Sequence, residues 1–99
     1  MAKVTAFELA GLDLWFNSDD HLPPHFHAEK IGDWEIKVHF LRGRDEMFEV
    51  VWPENPKKKS GKPRKADLRE IGEAAEAHRG ELLEQWQQDV IVKTPGAQR

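Results

Sequence analysis

The 99-residue chain contains no cysteine. Disulfide staples, thiolate metal sites and cysteine nucleophiles are therefore excluded, and packing and hydrogen bonding must hold the fold together. The lack of cysteine fits a reducing compartment. No segment approaches the roughly 20 consecutive apolar residues that a membrane helix needs. The opening Met1-Ala2-Lys3-Val4-Thr5 has no apolar core of signal-peptide length. A cytoplasmic protein without a membrane partner is expected. There is no internal repeat and no composition break, so residues 1–99 read as one domain with one modest core. Four Trp and five Phe supply much of its apolar bulk, at roughly 150–250 Å² buried for each that packs inside.

The net charge is −3, but it is unevenly spread. Lys57, Lys58, Lys59, Lys62, Arg64 and Lys65 fall together with no acid among them, which leaves the rest of the chain strongly acidic.

Four stretches have strand character. Leu12, Leu14 and Phe16 alternate with polar or amphipathic neighbours, the period of a half-buried strand. Asn17-Ser18-Asp19-Asp20 and Pro23-Pro24 break that pattern. Residues 26–31 form a second candidate strand, closed by the turn signal Gly32-Asp33. The clearest strand is 35–41: Ile36, Val38 and Phe40 face one way, while Glu35, Lys37 and His39 face the other, which makes His39 an exposed residue. A hairpin connection at 42–45 leads to a strand over 47–52, with Phe48, Val50 and Trp52 on one side. Short links between consecutive strands favour an antiparallel meander.

Residues 54–65 are polar and basic, carry Pro56 and Pro63, and read as a flexible surface loop. The period then changes. Leu68, Ile71, Ala75, His78, Leu82 and Trp86 recur at spacings of three and four, one face of a helix. Asp67 is positioned to cap its start with Glu70 three residues on. Gly80 is the expected place for a kink. Residues 94–99 are expected to be a disordered tail. The resulting fold class is α+β: an antiparallel β-meander of about four strands with one long C-terminal helix packed on one face.

His21-Leu22-Pro23-Pro24-His25-Phe26-His27 puts three imidazoles into seven residues. If 25–29 is extended, His25, His27 and Glu29 share one face and Phe26 and Ala28 the other. His25 and His27 are then placed to chelate a divalent transition metal, with His21 or Glu29 as a further ligand. Two imidazoles with ordinary pKa values near neutrality also suffice as an acid–base pair, and a phosphodiester cleaved through its own ribose hydroxyl needs little more than a cation beside them. A structural role, with local hydrogen bonds from the turn, is the third possibility. His78 falls on the apolar stripe of the helix. Either it is partly buried against a backbone carbonyl, or it points across the helix–sheet interface and joins His25 and His27 in catalysis. The basic residues from Lys57 to Lys65 are suited to nucleic-acid phosphates, although no aromatic residue is interleaved for base stacking.

Asp20-His21-Leu22-Pro23-Pro24-His25-Phe26-His27-Ala28 resembles the signature run of the bacterial family called domain of unknown function 4160. His78-Arg79-Gly80-Glu81-Leu82-Leu83-Glu84-Gln85-Trp86 is similar to the family's closing helix. The resemblance implies a prokaryotic source and singles out His21, His25, His27 and His78. It brings no established activity. It implies an association with a second small protein from a neighbouring gene, in toxin–antitoxin-like pairs. Three roles are therefore expected to compete: a component of such a two-protein module, a small metal-dependent or acid–base hydrolase, and a nucleic-acid binder using the basic loop.

Overall fold

The computed structural model describes residues 2–17, 22–51 and 61–90. Its centre is a five-stranded antiparallel sheet whose spatial order follows the chain: β1 (Ala2–Lys3), β2 (Asp13–Phe16), β3 (Phe26–Lys30), β4 (Trp34–Val38) and β5 (Phe48–Val50). Two helices follow, α1 (Lys65–Ala77) and α2 (Arg79–Asp89). The fold is α+β with an antiparallel meander, as the pattern predicts.

Two details differ from the expected outline. There are five strands among the described residues, because β1 adds an edge: Ala2 pairs with Phe16 and Lys3 with Trp15. Two residues are too few to show a period of two, so this strand is silent in the sequence. The single long helix is in fact two helices, separated at His78, whose φ of −121° and ψ of 23° leave the helical region. The break lies two residues before Gly80 because tertiary contacts decide it. The Arg79 guanidinium donates to the carbonyls of Phe40 (2.8 Å) and Arg42 (3.0 Å), pinning the junction to the end of β4. Helix α1 also starts earlier than expected. Arg64 is its N-cap, and Asp67, in the first turn, accepts the Arg64 backbone N–H at 3.0 Å instead of capping itself. Gly72 sits inside α1 where a Cβ would meet the Arg44 side chain, 2.5 Å from its Nε. That leaves Arg44 room to form a two-armed ion pair with Glu76, both bonds 3.0 Å.

The strand register divides the sheet into two faces. Leu14, Phe16, Phe26, Ala28, Ile36 and Val38 lie on one face and are buried, together with Ile71, Ala75, Leu82 and Trp86 from the helices. Phe16 is the hub: its ring meets Phe26 and Phe40 at 6.4 Å and Trp86 at 6.2 Å, all edge to face. Such pairs add about 0.5–1.5 kcal/mol each beyond burial alone. The N-terminal strand is tied to α2 by Gln85, which donates to the Lys3 carbonyl (2.7 Å) and accepts from the Thr5 backbone N–H (3.0 Å).

The 3-10 turn Arg44–Glu46 lies where a tight hairpin is expected, and β5 is shorter than the 47–52 pattern. Trp52, most of the basic loop (54–60) and the tail 94–99 lie outside the described residues.

Truncating the hub, Phe16→Ala, is expected to cost about 3–5 kcal/mol. Leu22→Ser, at a position 69% exposed, should stay within about 0.5 kcal/mol. Urea denaturation of both variants measures this; equal midpoints would rule out the packing described.

Candidate functional site

The second face of the sheet is polar, and its residues line up across the strands. Lys3, Trp15, His27, Lys37 and Glu49 are successive cross-strand partners. Asp13, Glu29 and Glu35 form the neighbouring rank. Continuing the β3–β4 register by one pair sets His25 opposite His39, and their ring centroids are 5.3 Å apart. His25 also meets His27 at 5.2 Å. The three imidazoles therefore form one row, His27–His25–His39, and each side chain's residue is only 5% exposed.

This corrects the expectation for His39. Parity places it on the polar face, but that face is not open at this point. His25 packs beside it, the pairing of β4 with the next strand continues through the His39 N–H to the Met47 carbonyl (2.7 Å), and His25 in turn rests on the buried Trp86 of α2 at 5.6 Å. At the other end Trp15 stacks on His27 at 5.3 Å, with planes 13° apart.

Hydrogen bonding fixes how each ring is presented. The Pro23 carbonyl can only accept, so the 2.9 Å contact to His25 Nδ1 is an Nδ1–H donation, and neutral His25 carries its lone pair on Nε2. The Trp15 indole N–H can only donate, so Asn17 accepts through Oδ1 (3.1 Å) and offers its amide N–H to His27 Nε2 (3.2 Å). That puts the proton of neutral His27 on Nδ1, 3.5 Å from Glu35 Oε2. Glu49 Oε1 accepts from His39 Nε2–H at 3.1 Å. His39 Nδ1 has no hydrogen-bond partner among the described residues. The His39 hydrogen bond holds the Glu49 carboxyl below the usual carboxylate range; burial opposes this, and the charges of Lys37, His39 and His25 reinforce it.

The other residues singled out from the sequence are dispersed. Glu29 lies on the same face, in a depression of about 440 Å³ lined with Lys3, Asp13, Leu14 and Trp15. His21 lies outside the described residues. Among the described residues no three His, Asp or Glu side chains are arranged to hold a metal ion. His78 is partly buried, as one of its two expected positions has it, but its ring bonds a carboxylate and not a backbone carbonyl. It stands at the α1–α2 junction, stacked on Phe7 at 5.3 Å, with Nδ1 2.9 Å from Glu81 Oε1 and its backbone N–H on the Ala74 carbonyl. Of the basic cluster, Lys57, Lys58 and Lys59 lie outside the described residues. Lys62, Arg64 and Lys65 lead exposed into α1.

Because folding lowers the Glu49 pKa, this carboxylate contributes stability at neutral pH that is lost as pH falls through its folded value. Wild type should therefore exceed Glu49→Gln in stability above about pH 4.3, the ordinary glutamate value, and the difference should shrink to nothing below it. Denaturation midpoints across that range measure this, and a pH-independent gap would contradict the pairing.

No curated protein and no solved structure matches the chain. A family model does, over residues 12–87, a span that takes in the histidine run, β2 to β5, α1 and all but the last two residues of α2. The chain belongs to the family described as "Domain of unknown function (DUF4160)".

Proposed function

We propose that this protein is one component of a two-protein, toxin–antitoxin-like module in a prokaryotic cytoplasm, and that the histidine row is its working site. Support comes from the kind of genetic pairing that the family resemblance implies and from one feature of the fold. The helices bury Ile71, Ala75 and Leu82 in the core on one side of the sheet, while His25, just ahead of β3, is in contact with His27, His39 and Trp86 of α2, with half-buried Trp15 stacked on His27. Buried titratable side chains backed by carboxylates are costly to keep and concentrate where chemistry or regulated binding occurs. Co-expression with the product of the neighbouring gene is expected to give a complex that survives purification over a range of salt. Trp15→Ala, on the rim of the row, should weaken that complex at least about tenfold, the loss expected for a hot-spot aromatic. Failure to co-purify at any salt would remove this reading.

A second reading, acid–base hydrolysis of a phosphodiester such as RNA, is favoured by the fixed tautomers. Neutral His25 offers Nε2 as a base, and a protonated imidazole beside it can serve as the acid. Lys37, the cross-strand partner of His27, supplies a cation on the same face. His25→Ala and His27→Ala should each lower cleavage by about 10²-fold or more while keeping the far-UV spectrum. A chelator separates the two forms of this reading: it leaves acid–base cleavage unchanged and abolishes cleavage that depends on a metal held by His21, His25, His27 or Glu29. Cleavage that survives both substitutions would dispose of the enzyme.

A further inference from the structure

Neither reading of the histidine row assigns a ligand to the depression beside Trp15. It measures about 440 Å³, within the range of small-ligand sites, and is lined by Lys3, Asp13, Leu14, Trp15 and Glu29. We propose that it is the seat of an organic cation: the guanidinium or ammonium of an arginine or lysine side chain that the partner protein inserts between Asp13 and Glu29, against the indole of Trp15. This names what the partner of the two-protein reading brings, and rests on that reading for the source of the cation.

The shape of the depression follows from where β1 leaves the sheet. Ala2 and Lys3 pair with Phe16 and Trp15, and the Val4 N–H reaches the Leu14 carbonyl at 3.0 Å. One residue further, the same register and parity would set Thr5 beside Asp13 on the polar face. Thr5 goes to α2 instead: Gln85 Oε1 accepts from its backbone N–H at 3.0 Å and from its hydroxyl at 3.2 Å. The place beside Asp13 that a longer β1 would fill is left open.

The border of that place is acidic. Asp13 lies opposite Glu29 across β2 and β3, and Glu29 lies opposite Glu35 across β3 and β4, so one rank is carboxylate on three successive strands. Like charges directly opposite one another repel, and a cation set among them relieves the repulsion. Lys3 already has a counter-ion, with Nζ 3.6 Å from Glu8 Oε1. The lining is therefore negative on balance and favours a cation over an anion. Trp15 supplies the rest of the recognition. Its stacking on His27, with planes 13° apart, and its N–H donated to Asn17 at 3.1 Å hold the indole in one orientation. A fixed indole beside paired carboxylates selects a charge carried on an apolar stem, because the ring attracts the cation and the stem packs along it. A bare metal ion would gain nothing from the indole.

The test is an NMR titration of the ¹⁵N-labelled full chain, read at the Trp15 indole N–H. The probe is acetyl-Gly-Arg-Gly-amide, and its control is the citrulline peptide, which keeps the shape of the side chain without its charge. The arginine peptide is expected to give a saturable shift at Trp15 and at the backbone N–H groups of Asp13 and Glu29, weakened by added salt; the citrulline peptide should give none. Asp13→Asn, at an exposed position, should weaken binding about two- to fivefold, the range of an exposed ion pair. Trp15→Leu should weaken it about as much, as loss of an exposed cation–π contact does. No saturable shift, equal binding of the citrulline peptide, or an unchanged affinity in Asp13→Asn would overturn the proposal. Spermidine, titrated in parallel, separates the sources: the peptide should bind at least as tightly, and spermidine tighter by about tenfold would overturn the assignment to a side chain in favour of a free polyamine. The peptide titration uses this chain alone, so its failure is distinguishable from failure of the two-protein reading, which co-purification decides.

Discussion

The pairing of β3 with β4 around the Ile31-Gly32-Asp33 turn is the constraint on which the rest depends. Gly32 has a φ of +79°, a conformation that a side chain at this position would resist, and it lets the chain reverse tightly. With the reversal centred there, Phe26 meets Val38 and Ala28 meets Ile36 on the core face. In the same register His27 meets Lys37, and His25 is brought to His39, on the other. A slip of one residue would send the apolar set to solvent and the imidazoles into the core, so burial of one face enforces assembly of the other.

The row is a polar cluster kept at low exposure, and each imidazole has a ring nitrogen in a hydrogen bond, His25 with Pro23, His27 with Asn17 and His39 with Glu49. Carboxylates flank it at both ends, Glu35 by His27 and Glu49 by His39. A carbonyl and an amide fix the tautomers between them. Two indoles close it, Trp15 over His27 and Trp86 behind His25. Imidazole interactions gain strength in such surroundings, because the local dielectric is lower than that of water. Helix α2 shares in this through Trp86, whose other neighbour is Phe16 at the hub of the core, so the site is braced by the same packing that stabilises the fold.

Much of this is legible in the chain. Alternation in 12–16 and 35–41 marks strands, and the candidate strand over 26–31 is close to β3, which begins at Phe26 and leaves His25 just ahead of it. What is lost is partnership. Period two assigns His39 to a polar face but does not say whether that face is covered. The cue is the turn: His25 and His39 lie at equal distances from Gly32, so a hairpin centred there must pair them. The helix break is illegible for a related reason, since it depends on Arg79 reaching the carbonyls of Phe40 and Arg42 from far along the chain. Local propensity, which favours Gly80, contains no term for that contact.

The central claim is that His25, His27 and His39 are one enclosed row, distinct from His78. Diethyl pyrocarbonate labelling of the native chain, read residue by residue by mass spectrometry, tests it directly. His78, with its side chain 33% exposed, should be modified quickly, the three row histidines should react slowly, and Trp15→Ala should accelerate His27 before the others. Equal rates at His25, His27, His39 and His78 would contradict the account.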